Sequence, residues 1–133
     1  MALKLVAVDG CTIAHKIPSL ISGGTFTITA IPSITSKGEG NGAFSGTLTY
    51  TFTGGNATGF VSGTVATILP QVILATAIFS KVDGSLVLRE GDFGTMACIG
   101  TIDPTPVLPA PPTGPIGGPV EISVAGQTTS KAD

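Results

Sequence analysis

Residues 47–53 read Thr47-Leu48-Thr49-Tyr50-Thr51-Phe52-Thr53. Side chains of a strand alternate between its two faces. The alternation therefore puts Leu48, Tyr50 and Phe52 on one face and four threonines on the other. Threonine suits a strand because its branched Cβ packs well on a pleated surface. Upstream, Thr25-Phe26-Thr27-Ile28-Thr29-Ala30 repeats the pattern, and the connector Ser36-Lys37-Gly38-Glu39-Gly40-Asn41-Gly42 is dense in turn formers. Downstream, Gly54-Gly55-Asn56 reads as the close of the second strand. The run Val72–Phe79 is continuously apolar, which fits a buried strand or a short buried helix, and its length and β-branched residues favour the strand. Val82-Asp83-Gly84-Ser85 is a hairpin signal, since both central positions of a type I′ turn need positive φ.

The surrounding composition agrees with a mainly β chain. Of 133 residues, 19 are Gly and 29 are Ser or Thr, while 11% are charged, against roughly 25% in an ordinary soluble protein. No charge occurs from Gly40 to Ser80, a run of 41 residues. A small free monomer normally carries more surface charge than this, so the run predicts surface hidden against a partner or solvated by hydroxyls. The most apolar window, Thr64–Phe79, contains Pro70 and Gln71 and falls short of the about 20 residues of a spanning helix. Asp9, His15 and Lys16 interrupt any signal-peptide core in the first 22 residues. The expectation is a soluble chain made in the cytoplasm without a signal peptide.

After Asp103 the character changes. Seven of the ten prolines lie between Pro104 and Pro119, which predicts a semi-rigid linker or arm over 104–119. Val120–Val124 alternates again and suggests an edge strand within a tail, 120–133. The β-domain is then 1–103.

Several function classes lose their chemistry here. A net charge of −2 with six basic residues argues against nucleic-acid phosphates as partners. A Ser-His-Asp or Cys-His site would have to use His15, the one histidine. Cys11 and His15 stand four apart, but without helical periodicity. Glu90 and Asp92 flank Gly91, which marks a turn rather than a carboxylate pair. No Gly-x-x-x-x-Gly-Lys-Ser/Thr phosphate loop is present. The reading is therefore of a protein that is not an enzyme. Cys11, His15 and Cys98 are candidate ligands of one zinc or iron ion, with Asp9, Asp92 or water as fourth ligand. The alternative is that the cysteines pack as small apolar groups.

Leu88-Arg89-Glu90-Gly91-Asp92, preceded by Asp83-Gly84-Ser85 and followed by Cys98, resembles the motif of the PAAR-repeat proteins. Asp9-Gly10-Cys11-Thr12 through His15 is similar to the opening of that family. Ile31-Pro32-Ser33-Ile34-Thr35 with Lys37-Gly38 is similar to its Ser-Pro segment and turn. The resemblance covers about residues 5 to 102 and is most specific at Arg89, Gly91 and Asp92. It implies a small cone-like β-domain that caps and sharpens the trimeric β-helical spike of a contractile injection machine. Such machines include type VI secretion systems, tailocins and contractile phage tails. The implied localisation is the tip of that machine, delivered outward, with transient contact with a target membrane. The family commonly carries one structural zinc on three His and one Cys. Cys98 and His15 match two of those positions, and Cys11 would be a replacement ligand. An extension in this family can carry or recruit an effector, although 30 residues after Asp103 are too few for an effector domain. The competing reading is another small β-structural component, such as a capsid-decoration or tail protein.

Overall fold

A computed structural model describes residues 3–102, 113–128 and 130–132. Among them the chain forms β-strands and no helix: β1 (Lys4–Leu5), β2 (Thr12–His15), β3 (Ser22–Ile28), β4 (Lys37–Gly38), β5 (Asn41–Gly42), β6 (Thr47–Asn56), β7 (Gln71–Leu74), β8 (Lys81–Val82), β9 (Ser85–Leu86), β10 (Phe93–Thr101), β11 (Thr113–Val124) and β12 (Lys131–Ala132). All pairings are antiparallel. Two sheets have three strands, in the orders β3-β6-β7 and β10-β11-β2; the pairs β4-β5, β8-β9 and β1-β12 are two-stranded.

The alternation in β6 is realised as read. Leu48, Tyr50 and Phe52 are fully buried, and they face Ile73 of β7 and Phe26 and Ile28 of β3. Met96 and Cys98 of β10, Val120 and Ile122 of β11 and Ile13 of β2 join them in one apolar cluster. The two three-stranded sheets thus share a core. They also touch along β7 and β10, where the Gln71 side chain accepts from the Ala97 amide at 3.2 Å.

Asp83 and Gly84 have φ of 52° and 84°, the two positive values that a type I′ turn requires, and they join β8 to β9. The 36–42 connector is built the same way: Glu39 and Gly40, at φ 53° and 84°, join β4 to β5.

Three elements differ from the sequence reading. β6 does not close at Thr53 but runs on to Asn56, pairing Gly55 with Gly23. The reason is the Phe52 ring, which fills the space where a side chain at Gly55 or Gly24 would stand. Within the apolar run 72–79, strand pairing stops at Leu74. Beyond it the Ala75 amide turns to the Gly46 carbonyl, and Ala77 buries itself in a satellite cluster with Val87 and Ala132.

The third difference concerns the division at 119/120. The expected arm lies outside the described residues as far as 112. From Thr113 the chain is already in β11, and 120–124 is no edge strand but lies between β10 and β2. Prolines remain compatible with this because β2 pairs only with Val120–Val124. Pro115 falls where β11 has a sheet partner on one side, the place where a missing donor is tolerated, and Pro119, whose carbonyl accepts from the Lys16 amide at 3.0 Å, sits just past the end of the β2 pairing.

The two faces of β6 should respond differently to truncation. Leu48→Ala should lower the unfolding free energy by about 2–5 kcal/mol, the range for a large core side chain. Thr49→Ala, on the outer face, should change it by less than about 1 kcal/mol. Equal effects in urea titrations would contradict the assignment of faces.

Candidate functional site

The motif turn follows β9 and begins at Arg89, which bridges to Val6. Gly91 has φ 92°, a conformation that favours glycine. The Arg89 amide donates to Asp92 Oδ2 at 2.9 Å, and the Asp92 amide returns a bond to the Arg89 carbonyl at 3.1 Å. The Thr76 hydroxyl donates to Asp92 Oδ1 and accepts from Arg89 Nη2 at 3.0 Å. Threonine thereby joins the two charges through its hydroxyl. Both charged residues are buried, Arg89 at 8% exposure and Asp92 at 1%. The same turn reaches two other segments: Glu90 N donates to Leu5 O at 2.7 Å, and Gly91 N donates to Ile122 O at 2.8 Å. Ile122 N in turn donates to Asp92 O at 2.9 Å. Arg89 Nε has no partner. Arg89, Gly91 and Asp92 therefore form a clasp that holds four parts of the chain together.

The three candidate metal ligands do not meet. Cys98 on β10 is opposite Ile116 of β11, His15 is opposite Val120, and Thr12, next to Cys11, is opposite Val124. At about 3.4 Å per residue the two cysteine registers differ by about 27 Å, and His15 lies about 14 Å along the strand from Cys98. That spacing also excludes a disulfide, and both cysteines are free. Among the described residues, no group of three or more His, Cys, Asp and Glu can hold a metal ion. The zinc or iron site expected on Cys11, His15 and Cys98 is thus corrected: these residues do not fit one ion.

Each has another role. His15 Nε2–H donates to the Gly23 carbonyl at 2.8 Å, linking β2 to β3. Its ring lies 5.0 Å from Phe26 and 5.1 Å from Phe52, within the range of aromatic pairing. Cys11 and Cys98 pack in the core. Burial pushes both thiols up to about 11, with Asp9 adding to the shift at Cys11. Burial also pushes the Tyr50 hydroxyl up to about 12, with Cys98 contributing.

A surface feature was legible only as half of a pattern. Across the outer face of β3-β6-β7, Thr25 stands opposite Thr53, Thr27 opposite Thr51, Thr49 opposite Val72, and Thr47 opposite Leu74. Directly opposed residues share a face, so six threonines and two aliphatic side chains make one uncharged surface. Ile68 and Leu69 before β7, and Ile78 and Phe79 after it, are also exposed, Phe79 at 68%. Periodicity in β3 and β6 indicates the threonine rows; their alignment with each other and with β7 needs the register. No family model, curated protein or solved structure matches the chain.

Two measurements check this geometry. Asp92→Ala leaves the Arg89 guanidinium buried with its turn undone, and should cost about 3 kcal/mol or more. Raised folded-state pKa values mean that the native state holds these protons more tightly than the unfolded chain. Their contribution is whole below about pH 9, the ordinary thiol value, and is lost as pH rises towards 11 for the cysteines and 12 for Tyr50. Melting temperature should therefore fall above pH 9. A Cys11→Ala, Cys98→Ala double variant should show a shallower fall between pH 9 and 11. An unchanged slope would contradict the burial of the thiols.

Proposed function

We propose that the protein is a structural tip of the PAAR-like kind, which caps a trimeric β-helical spike of a contractile injection machine and turns over no substrate. The observation that carries this reading is the uncharged outer face of β3-β6-β7. Its β6 and β7 rows lie within the 41-residue neutral run, and β3 adds Thr25 and Thr27 from outside it. Its hydroxyls and methyl groups can meet a blunt protein end without desolvating a charge, a step that costs several kcal/mol per unpaired ion. The motif turn supports the same reading in another way. A tip carries load, and the Arg89–Asp92 clasp ties distant segments of a small β-domain to one buried point. A cone-like outline belongs to this proposal, and so does the expected proline-rich arm as far as residue 112. So do transient contact with a target membrane and recruitment of an effector.

A capsid-decoration or tail protein would use the same neutral face in many copies, so stoichiometry separates the two. Mixed with the trimeric spike from its own genome, the protein should bind as one copy per trimer. Affinity should change little between low and high salt, since few ion pairs are there to be screened. Thr49→Lys should weaken binding at least tenfold while leaving the melting temperature nearly unchanged. Separate elution of the two proteins at micromolar concentration would overturn the reading. Several copies per assembly would favour the decoration role.

A further inference from the structure

In the sheet β3-β6-β7, β3 is an outer strand, and the bonds of β6 show which of its backbone groups are paired. Phe52 turns its backbone away from β3: its amide donates to the Thr67 hydroxyl at 3.0 Å, and its carbonyl accepts from the Thr67 amide at 2.9 Å. Backbone groups along an antiparallel strand point alternately to its two sides. Thr49, Thr51 and Thr53 therefore point theirs at β3, and the Thr49 carbonyl does accept from the Thr29 amide at 2.9 Å. Thr25 and Thr27 stand opposite Thr53 and Thr51, so these two engage β6. The amides and carbonyls of Phe26 and Ile28 point the other way.

Among the described residues no hydrogen bond reaches those groups. β2 stands beside the start of β3, where His15 Nε2–H donates to the Gly23 carbonyl at 2.8 Å, but no ladder joins the two strands. An edge of this kind is a template for another strand, and proteins ordinarily blunt it with a charged side chain or a proline. β3 has neither. The sequence carries no charge from Ile17 to Ser36, and no proline falls between Ser22 and Ile28.

The strand is complementary to its own copy. Two β3 strands related by a twofold axis run antiparallel. With Thr27 on the axis, Phe26 meets the partner's Ile28, and Ile28 meets the partner's Phe26. These are the residues whose backbone groups point outward, so both pairs are of the hydrogen-bonded kind, each exchanging its N–H···O bonds. Thr27 meets the partner's Thr27 on the outer side, a favourable cross-strand pair. On the inner side Phe26 and Ile28 are half-buried against the core and gain cover. A twofold axis brings each residue near itself, so a charge beside it would meet a like charge. The sheet β3-β6-β7 contains no charged residue.

We propose that the free chain forms a twofold dimer through β3, which joins two sheets into one in the order β7-β6-β3-β3-β6-β7. This goes beyond the outer-face reading and does not depend on it, since edge pairing leaves the outer face open on both copies. Few residues meet, so the dimer belongs to the weak, transient class of contacts. At low micromolar concentration the chain is mainly monomeric.

Sedimentation equilibrium of the full chain over about 5 to 500 μM tests the dimer, and we expect a monomer–dimer equilibrium with a Kd of about 100 μM. Thr27 is exposed, so Thr27→Lys should keep the melting temperature. It sets like charges at the axis and should weaken dimerisation at least tenfold. Thr49→Lys should leave dimerisation unchanged, because Thr49 stands on β6, one strand in from the edge. Amide exchange gives a readout without substitution. Protection at Phe26 and Ile28 should rise about threefold across that concentration range, as mass action requires, while Thr25 and Thr27 stay as they are. A chain that remains monomeric to about 500 μM overturns the proposal. So does a dimer that leaves the Phe26 and Ile28 amides unprotected, or one that Thr49→Lys weakens as much as Thr27→Lys, since either result means contact through the outer face. Thr49→Lys also keeps the two readings apart: it is expected to lose the spike and still to dimerise.

Discussion

The Asp92 carboxylate accepts from the Arg89 amide and the Thr76 hydroxyl, and the Thr76 oxygen accepts from the Arg89 guanidinium. A buried pair of opposite charges is costly to desolvate, and it is worth retaining chiefly where its geometry specifies something. Here it specifies register. The turn donates to the Ile122 carbonyl and accepts from the Ile122 amide, and β10 then pairs with β11 from Phe93 opposite Glu121 onward. A slip of one residue would send Met96 and Cys98 outward and Thr95 and Ala97 into the core. The β-bulge between Ile122 and Val124 falls beside this anchor, where β11 turns to meet β2. The positions of both three-stranded sheets follow from that fixed point, because Thr76 lies just beyond β7 of the other sheet.

Charge is segregated on this molecule. One sheet face presents hydroxyls, methyls and aliphatic side chains, and Lys37, Lys81 and Lys131 stand on the small paired elements β4, β8 and β12. Threonine serves the neutral face twice over, since its branched Cβ favours the strand and its hydroxyl keeps the surface hydrated without a charge. The exposed aliphatics at 68–69 and 78–79 extend this character into the segments on either side of β7.

The sequence was most legible where structure is local. The alternation in 47–53 located the core face of β6, and Asp83-Gly84 located a hairpin to the residue. The motif turn could be placed but not understood, because Thr76 lies 13 positions before Arg89 and Ile122 lies 30 after Asp92. β11 was hidden for a different reason. Gly114, Pro115, Gly117, Gly118 and Pro119 read as breakers, yet pairing with β10 along nine consecutive positions overrides their weak intrinsic preference. Cys11, His15 and Cys98 were singled out by chemistry alone, and donor type carries no information on the about 27 Å that separates the two cysteine registers.

The pairing of β1 with β12 has a kinetic consequence. Lys4 meets Ala132 and Leu5 meets Lys131, and His15 meets Val120. Hairpins such as β4-β5 and β8-β9 close over two-residue turns and form on a scale of about 1–10 μs. The end-to-end pairings instead require closing almost the whole chain, and that entropy is spent before their contacts return anything. Long-range antiparallel pairing of this kind places the molecule among slow folders. The order of assembly is therefore from the small hairpins inward to the clasp, and last to the two ends. While the ends remain open, the edges of β1 and β2 are exposed to other chains, so the nascent protein is most vulnerable to aggregation just before its final two strands close.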